Sequence, residues 1–270
     1  MNRRPAVGSG GAPPAGCDDP AVLARLAQVL DPELDEPILD LGFVRSVAID
    51  SRHARIELRL PTSWCAVNFA YLMAEDVRRA LLALDGIDEV SVSLGDHCAA
   101  AAIEAAVNTG RSFAEAFPAE GGGSLAALRL TFLRKGFVIR QERLLRALHA
   151  AGFSPPTICA LPLGTVWIVG ETIVIRQPDA EPIKVGPAAL LRRYLERRDE
   201  LGLDCGRTAP LIVGLDGEPL SAEGLRVQYE TARTMRVALE ANGAFCRALS
   251  SVRAAEPSAQ AKRGGRDVQA

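Results

Sequence analysis

The chain has 270 residues, 48% of them apolar and 24% charged, with a formal net charge of −2. This is an ordinary composition for one medium domain plus a second unit, or for two small domains. The near balance of charge gives no electrostatic reason to expect nucleic acid or an anionic membrane as a partner, and no apolar run reaches the length of a bilayer span. The basic start, MNRRPAVGSGGAPPAG, leads into no apolar segment of the kind a secretory signal needs. Six cysteines, Cys17, Cys65, Cys98, Cys159, Cys205 and Cys246, form no C-x-x-C pair. They read as reduced thiols of a cytoplasmic protein, without the spacing of a structural zinc site or a self-contained iron–sulfur centre.

Residues 1–17 and 254–270 are rich in Gly, Pro, Ala and polar residues, and are expected to be disordered. Asp18 or Asp19 caps an expected helix over 19–30, where Val22, Leu23, Leu26, Val29 and Leu30 recur at helical spacing until Pro32 stops it. Phe43–Ile49 has β character. After the turn Asp50–His53, Arg55–Leu60 alternates, with Ile56, Leu58 and Leu60 on one face, so the two segments read as a hairpin. A helix over 66–84 carries Val67, Ala70, Ala74, Val77, Leu81 and Leu84 on one stripe and ends at Asp85-Gly86. A third strand follows over 88–94, with Val90, Val92 and Leu94 alternating.

Beyond it, helices are expected over 99–109, 124–150, 187–201 and 221–250. A β-hairpin over 165–176 turns at Gly170-Glu171. The expected class is therefore α+β: a small mixed three-stranded sheet with helices packed on it, then a mostly helical C-terminal region with one hairpin. The expected domains are 18–120 and 121–253, parted near Gly121-Gly122-Gly123-Ser124, with Pro155-Pro156 as the alternative break.

Element order alone locates a rim. The second strand, the helix and the third strand make a β-α-β unit, whose crossover requires parallel strands. Three segments then converge at one sheet edge: Leu39–Gly42, Thr62–Cys65 and Gly95–Cys98. Carboxyl ends of parallel strands are where such sheets bind ligands. Cys65 stands where strand turns into helix, and the amides and dipole of a helix start favour a thiolate, a nucleophile and soft metal ligand. Read blandly, a cysteine there fills a small apolar space. Thr62 is placed to cap the turn. His97 and Cys98 offer an imidazole and a second thiol, although a loop histidine is often only a surface residue. Asp40 acts at the site or simply buttresses its loop. Trp64 shields the thiol or forms a contact surface. Cys17, Cys159, Cys205 and Cys246 show no partner spacing and read as structural or incidental.

Residues of about 20–98 resemble the SufT/PaaD-like domain of iron–sulfur cluster assembly factors. The matching pieces are Asp31-Pro32-Glu33, then Ile38-Leu39-Asp40-Leu41-Gly42-Phe43-Val44, then Leu60-Pro61-Thr62 with Cys65, then Gly86-Ile87-Asp88-Glu89-Val90. Each piece is short; their order and spacing make the resemblance specific. It implies a small α+β domain, no enzymatic activity of its own, and a role in assembling or delivering clusters to client proteins. The family's characteristic cysteine falls on Cys65 and its acidic loop residue on Asp40. Three departures stand out: Ala66 where the family usually has proline, no cysteine-rich tail, and no G-x-x-x-x-G-K-[ST] loop of the fused ATPases. Asn108–Phe113, Ala116–Pro118 and Arg140–Glu142 resemble long-tailed bacterial members associated with binuclear iron monooxygenases.

The resemblance thus implies a client metalloprotein, a di-iron hydroxylase among the candidates. It implies iron or an iron–sulfur cluster held transiently at Cys65, Asp40 and Thr62 rather than tightly bound. One thiolate cannot saturate such a unit, so His97, Cys98, a second copy in a homodimer or the client would complete it. Two other readings stand beside this one: a metal-free docking chaperone, and a thiol enzyme with Cys65 as nucleophile and His97 as base.

Overall fold

The computed structural model describes residues 14–118, 124–177 and 180–254. The glycines at 121–123, the N-terminal residues 1–13 and the tail 255–270, which carry most of the expected linker and disorder, lie outside the described residues. The chain forms two compact units. One comprises Met1–Leu125 with Glu240–Ala270, and the other Ala126–Leu239. The second half of the last helix thus belongs to the first unit, whereas the domain expected over 18–120 does not include it.

In the first unit, α1 (Pro20–Leu26) is shorter than its pattern suggests. Asp19 caps it by accepting from the Ala21 amide at 2.8 Å, and Pro20 pre-sets its first turn. Leu30 and Asp31 leave the helix to form β1 (Leu30–Asp31), which pairs antiparallel with β2 (Glu36–Pro37). The hairpin turn is held by Asp31, whose Oδ1 accepts from the Glu33 and Leu34 amides at 2.9 and 2.8 Å. Residue 15 also departs from the expected disorder. Ala15 bridges to Ser46, its amide donating to the Arg45 carbonyl at 3.0 Å.

β3 (Val44–Asp50) and β4 (His53–Leu58) form the expected antiparallel hairpin. α2 (Val67–Leu82) then crosses to β5 (Glu89–Leu94), which pairs parallel with β4. The sheet order is β3-β4-β5. Alternation decides the faces: Ala54, Ile56 and Leu58 of β4 and Val90, Val92 and Leu94 of β5 are buried. They share one apolar cluster with Ala70, Met73, Ala74, Val77 and Leu81 of α2 and Ile103, Ala106 and Val107 of α3 (Ala100–Thr109). Gly110, in the left-handed conformation at φ 72°, ends α3. The one-turn α4 (Phe113–Ala116) follows, closed by a Ser112/Glu115 capping box that composition alone did not reveal.

The second unit begins within α5 (Leu125–Ala150), continues through α6 (Pro155–Ala160), and includes α7 (Ala188–Glu200) and the first half of α8 (Ala222–Ala254). Its β element is larger than the expected hairpin. β6 (Val166–Val169) and β7 (Thr172–Ile175) turn at Gly170-Glu171 as expected, but β8 (Ile183–Pro187) adds an antiparallel edge to β7. That strand is short, largely exposed, interrupted by a register shift and ends in Gly186-Pro187, so the alternation of Ile183-Lys184-Val185 is too brief to mark a strand. Phe137, Leu144, Leu148, Ile173, Ile175, Tyr194 and Leu211 are among the core residues of this unit.

Candidate functional site

The thiol loop starts where β4 ends. The Arg59 amide donates to Phe43 O and the Gly95 amide to Leu58 O, both at 2.8 Å, so β4 and β5 end, and β3 begins, at one rim. The approach at Gly95 is close: an added Cβ would lie 3.2 Å from Glu57 Oε1 and 3.6 Å from Leu58 O. The following residue, Asp96, takes φ 58° and turns the chain back toward α3. Two hydrogen bonds then tie this turn to the thiol loop. The Cys98 amide donates to Ser63 O at 2.8 Å, and His97 Nε2 donates to Cys65 O at 2.9 Å. His97 is 7% exposed, and its Nδ1 accepts from the Ala99 amide at 3.2 Å. Both ring nitrogens are therefore engaged by backbone, which selects the tautomer with its proton on Nε2.

Cys65 is half-buried, two residues before Val67 opens α2. Its sulfur lies 3.1 Å from Thr62 Oγ1. Thr62 is thus a partner of the sulfur, and the helix takes Ala66 as its N-cap with no side-chain cap. Such a hydroxyl stabilises a thiolate by donating to it, or accepts from the thiol. Trp64 is 76% exposed and faces solvent rather than covering the thiol.

The remaining expected residues are less closely joined to the sulfur. Cys98 is exposed, and its amide rather than its thiol ties it to the loop. Asp40 is half-buried in a turn closed by the Phe43 amide to Ile38 O at 2.9 Å, with Gly42 at φ 72°. Among the described residues Asp40 makes no hydrogen bond or ion pair with Cys65 or His97, and no three His, Cys, Asp or Glu side chains are arranged to hold a metal ion.

Two further groups of this unit, Asp31 and Cys246, are not among the site residues expected from the sequence. Asp31 is buried, and desolvation pushes its carboxyl up to about 6 although two backbone amides oppose the shift. Cys246, in the part of α8 that belongs to this unit, packs with Cys65 on the same apolar cluster. Burial pushes its thiol up to about 11; neighbouring Asp31, Cys65 and Glu33 add to the rise and Arg247 opposes it. Helical periodicity marks the face Cys246 occupies but not what that face meets. Beside the thiol loop, Pro61, Thr62, Trp64, Phe245, Leu249 and Val252 line an open groove of about 610 Å³.

Residues 19–94 match the family model of iron–sulfur cluster assembly proteins. The match covers about a quarter of the chain and runs from the cap of α1 to the end of β5. It includes Asp40, Thr62 and Cys65 and stops before His97, Cys98 and Cys246. No curated protein matches the sequence. The matched segment supports a role in cluster assembly or maturation. Among the described residues no helix is long and apolar enough to cross a membrane.

Proposed function

We propose that this protein is a maturation factor that carries iron or an iron–sulfur unit as transient cargo on Cys65 and passes it to a client metalloenzyme. The observation that carries the reading is the position of Cys65 inside the matched segment, on a loop held by hydrogen bonds from a second loop of the same rim. A thiolate is a soft ligand suited to iron–sulfur units. Thr62 would donate to the sulfur while it holds cargo, and His97 would fix the loop through the Cys65 carbonyl rather than bind iron. An incomplete ligand set favours release, because the client supplies what the carrier lacks. A di-iron hydroxylase is the client that the sequence resemblance suggests.

The arrangement supports this reading over a thiol enzyme. A base must reach the proton of its nucleophile, whereas His97 reaches the Cys65 carbonyl oxygen and has no second nitrogen to spare. A metal-free docking role is favoured by one observation, the groove beside the loop with Trp64, Phe245 and Val252 all well exposed.

Anaerobic reconstitution with iron and sulfide, followed by metal and sulfide analysis, tests the proposal. Wild type takes up both and Cys65→Ala does not. Equal uptake by the two proteins, or none by wild type, rejects the carrier role and leaves docking.

A further inference from the structure

The second half of α8 is seated on the rest of its unit at both ends. Near its start, Gly243 passes so close to β2 that an added Cβ would lie 3.2 Å from Glu36 Oε1, and Arg247 pairs with that carboxylate. Near its end, Arg253 donates to Leu60 O at 3.0 Å and approaches Asp96 at 3.6 Å. Helical spacing places Gly243, Cys246, Arg247, Ser250 and Arg253 on one stripe. Cys246 therefore sits between an anchor on the β1–β2 hairpin and an anchor on the segment that leads into the thiol loop. Its neighbours Phe245 and Leu249 line one groove with Thr62 and Trp64. The Ser250 hydroxyl, one turn further along the stripe, is buried with no hydrogen-bond partner among the described residues. That is a polar atom left over on a stripe whose two arginines are both paired.

We infer that Cys246 is the second thiol of the Cys65 site, and that the two sulfurs together form a platform for a thiophilic iron or iron–sulfur unit. The inference rests on the carrier reading above. One sulfur comes from a loop fixed by backbone hydrogen bonds, the other from a helix fixed by ion pairs. Two thiolates hold such a unit more firmly than one, yet they leave its remaining coordination open to a client. On binding, each thiol gives up its proton and forms one sulfur–iron bond. The pairing also explains why Cys98, although nearer in sequence to the rim, is not needed: its thiol is exposed and its amide already fixes the loop.

Phenylarsine oxide tests the pairing without metal. This arsenical bridges two neighbouring thiols: each sulfur bonds to arsenic, both thiol protons leave, and the arsenic-bound oxygen departs as water. The full chain, Cys65→Ser, Cys246→Ser and Cys98→Ser are titrated under reducing conditions. The bridged residues are identified by mass spectrometry of peptides, and circular dichroism checks that each variant is folded. The expected result is one bridge joining Cys65 and Cys246 in wild type and Cys98→Ser. Affinity should fall at least tenfold in either of the other variants. A Cys65–Cys98 bridge, or unchanged affinity in folded Cys246→Ser, overturns the inference. In parallel, iron and sulfide reconstitution of Cys246→Ser should fall with that of Cys65→Ser. Iron uptake that depends on Cys65 but not Cys246 sinks the pairing and keeps the carrier reading. A Cys65–Cys246 bridge in a wild-type protein that takes up no iron keeps the pairing as a dithiol site and sinks the carrier reading.

Discussion

Replacing His97 by alanine separates a loop-fixing histidine from a metal ligand. The imidazole is buried, donates to Cys65 O at 2.9 Å and accepts from the Ala99 amide at 3.2 Å. Removing it strands a carbonyl and an amide that it had satisfied, at a cost of about 1–3 kcal/mol for a buried partner left unpaired. Because about 1.4 kcal/mol is a factor of ten, local opening of the two loops should become roughly 10–100 times more frequent. Hydrogen exchange reads this at the Cys98 amide, whose bond to Ser63 O spans the same two loops. Protection there should fall by that factor in His97→Ala. It should recover in His97→Gln, whose amide nitrogen can reach the same carbonyl. Iron uptake should follow loop order, weakened in alanine and recovered in glutamine. The reasoning is refuted if the Cys98 amide keeps its protection in His97→Ala while iron binding disappears, because His97 would then act as a ligand.

Two further outcomes follow from the same rim and its core. Asp31 holds its proton more firmly when folded, at about 6 against 3.8, so its contribution to stability is fully present below 3.8 and is lost as pH rises through 6. The span corresponds to roughly 3 kcal/mol. In urea unfolding between pH 4 and 7, wild type should lose about that much relative to Asp31→Asn, and a constant difference would show that the carboxyl is not shifted. Ile56 is 1% exposed in the central strand, so Ile56→Ala should cost about 2–5 kcal/mol in chemical denaturation. A loss below 1 kcal/mol would mean that the sheet face is not packed as described.

Much of the first unit was legible because its signals are local and agree. Alternation in β4 and β5, the apolar stripe of α2 and the handedness of the crossover fix a parallel pair. That in turn brings Thr62–Cys65 and Gly95–Cys98 to one edge. The chemistry of the edge was less legible. Thr62 could be read as a cap because threonine often is one, but its hydroxyl meets the sulfur instead. His97 could be read as a ligand because it is near, yet hydrogen-bond direction decides its role, and direction needs coordinates. Asp40 shares the end of the sheet with Cys65, but among the described residues it makes no hydrogen bond with it. Cys246 was invisible for a different reason: periodicity tells which face of α8 is covered, not that the cover is a hairpin and a loop far earlier in the chain. β8 escaped because its alternation spans only Ile183-Lys184-Val185 before Gly186-Pro187 breaks it.

The central claim, that cargo leaves on Cys65, is tested most directly by transfer to an acceptor. The protein is loaded with iron and sulfide under anaerobic conditions and mixed with an apo [2Fe–2S] ferredoxin and a chelator that captures free iron. The appearance of the ferredoxin spectrum is then followed. Wild type should rebuild the ferredoxin despite the chelator, and Cys65→Ala should rebuild none above the rate with iron and sulfide alone. Equal transfer by Cys65→Ala would contradict the account.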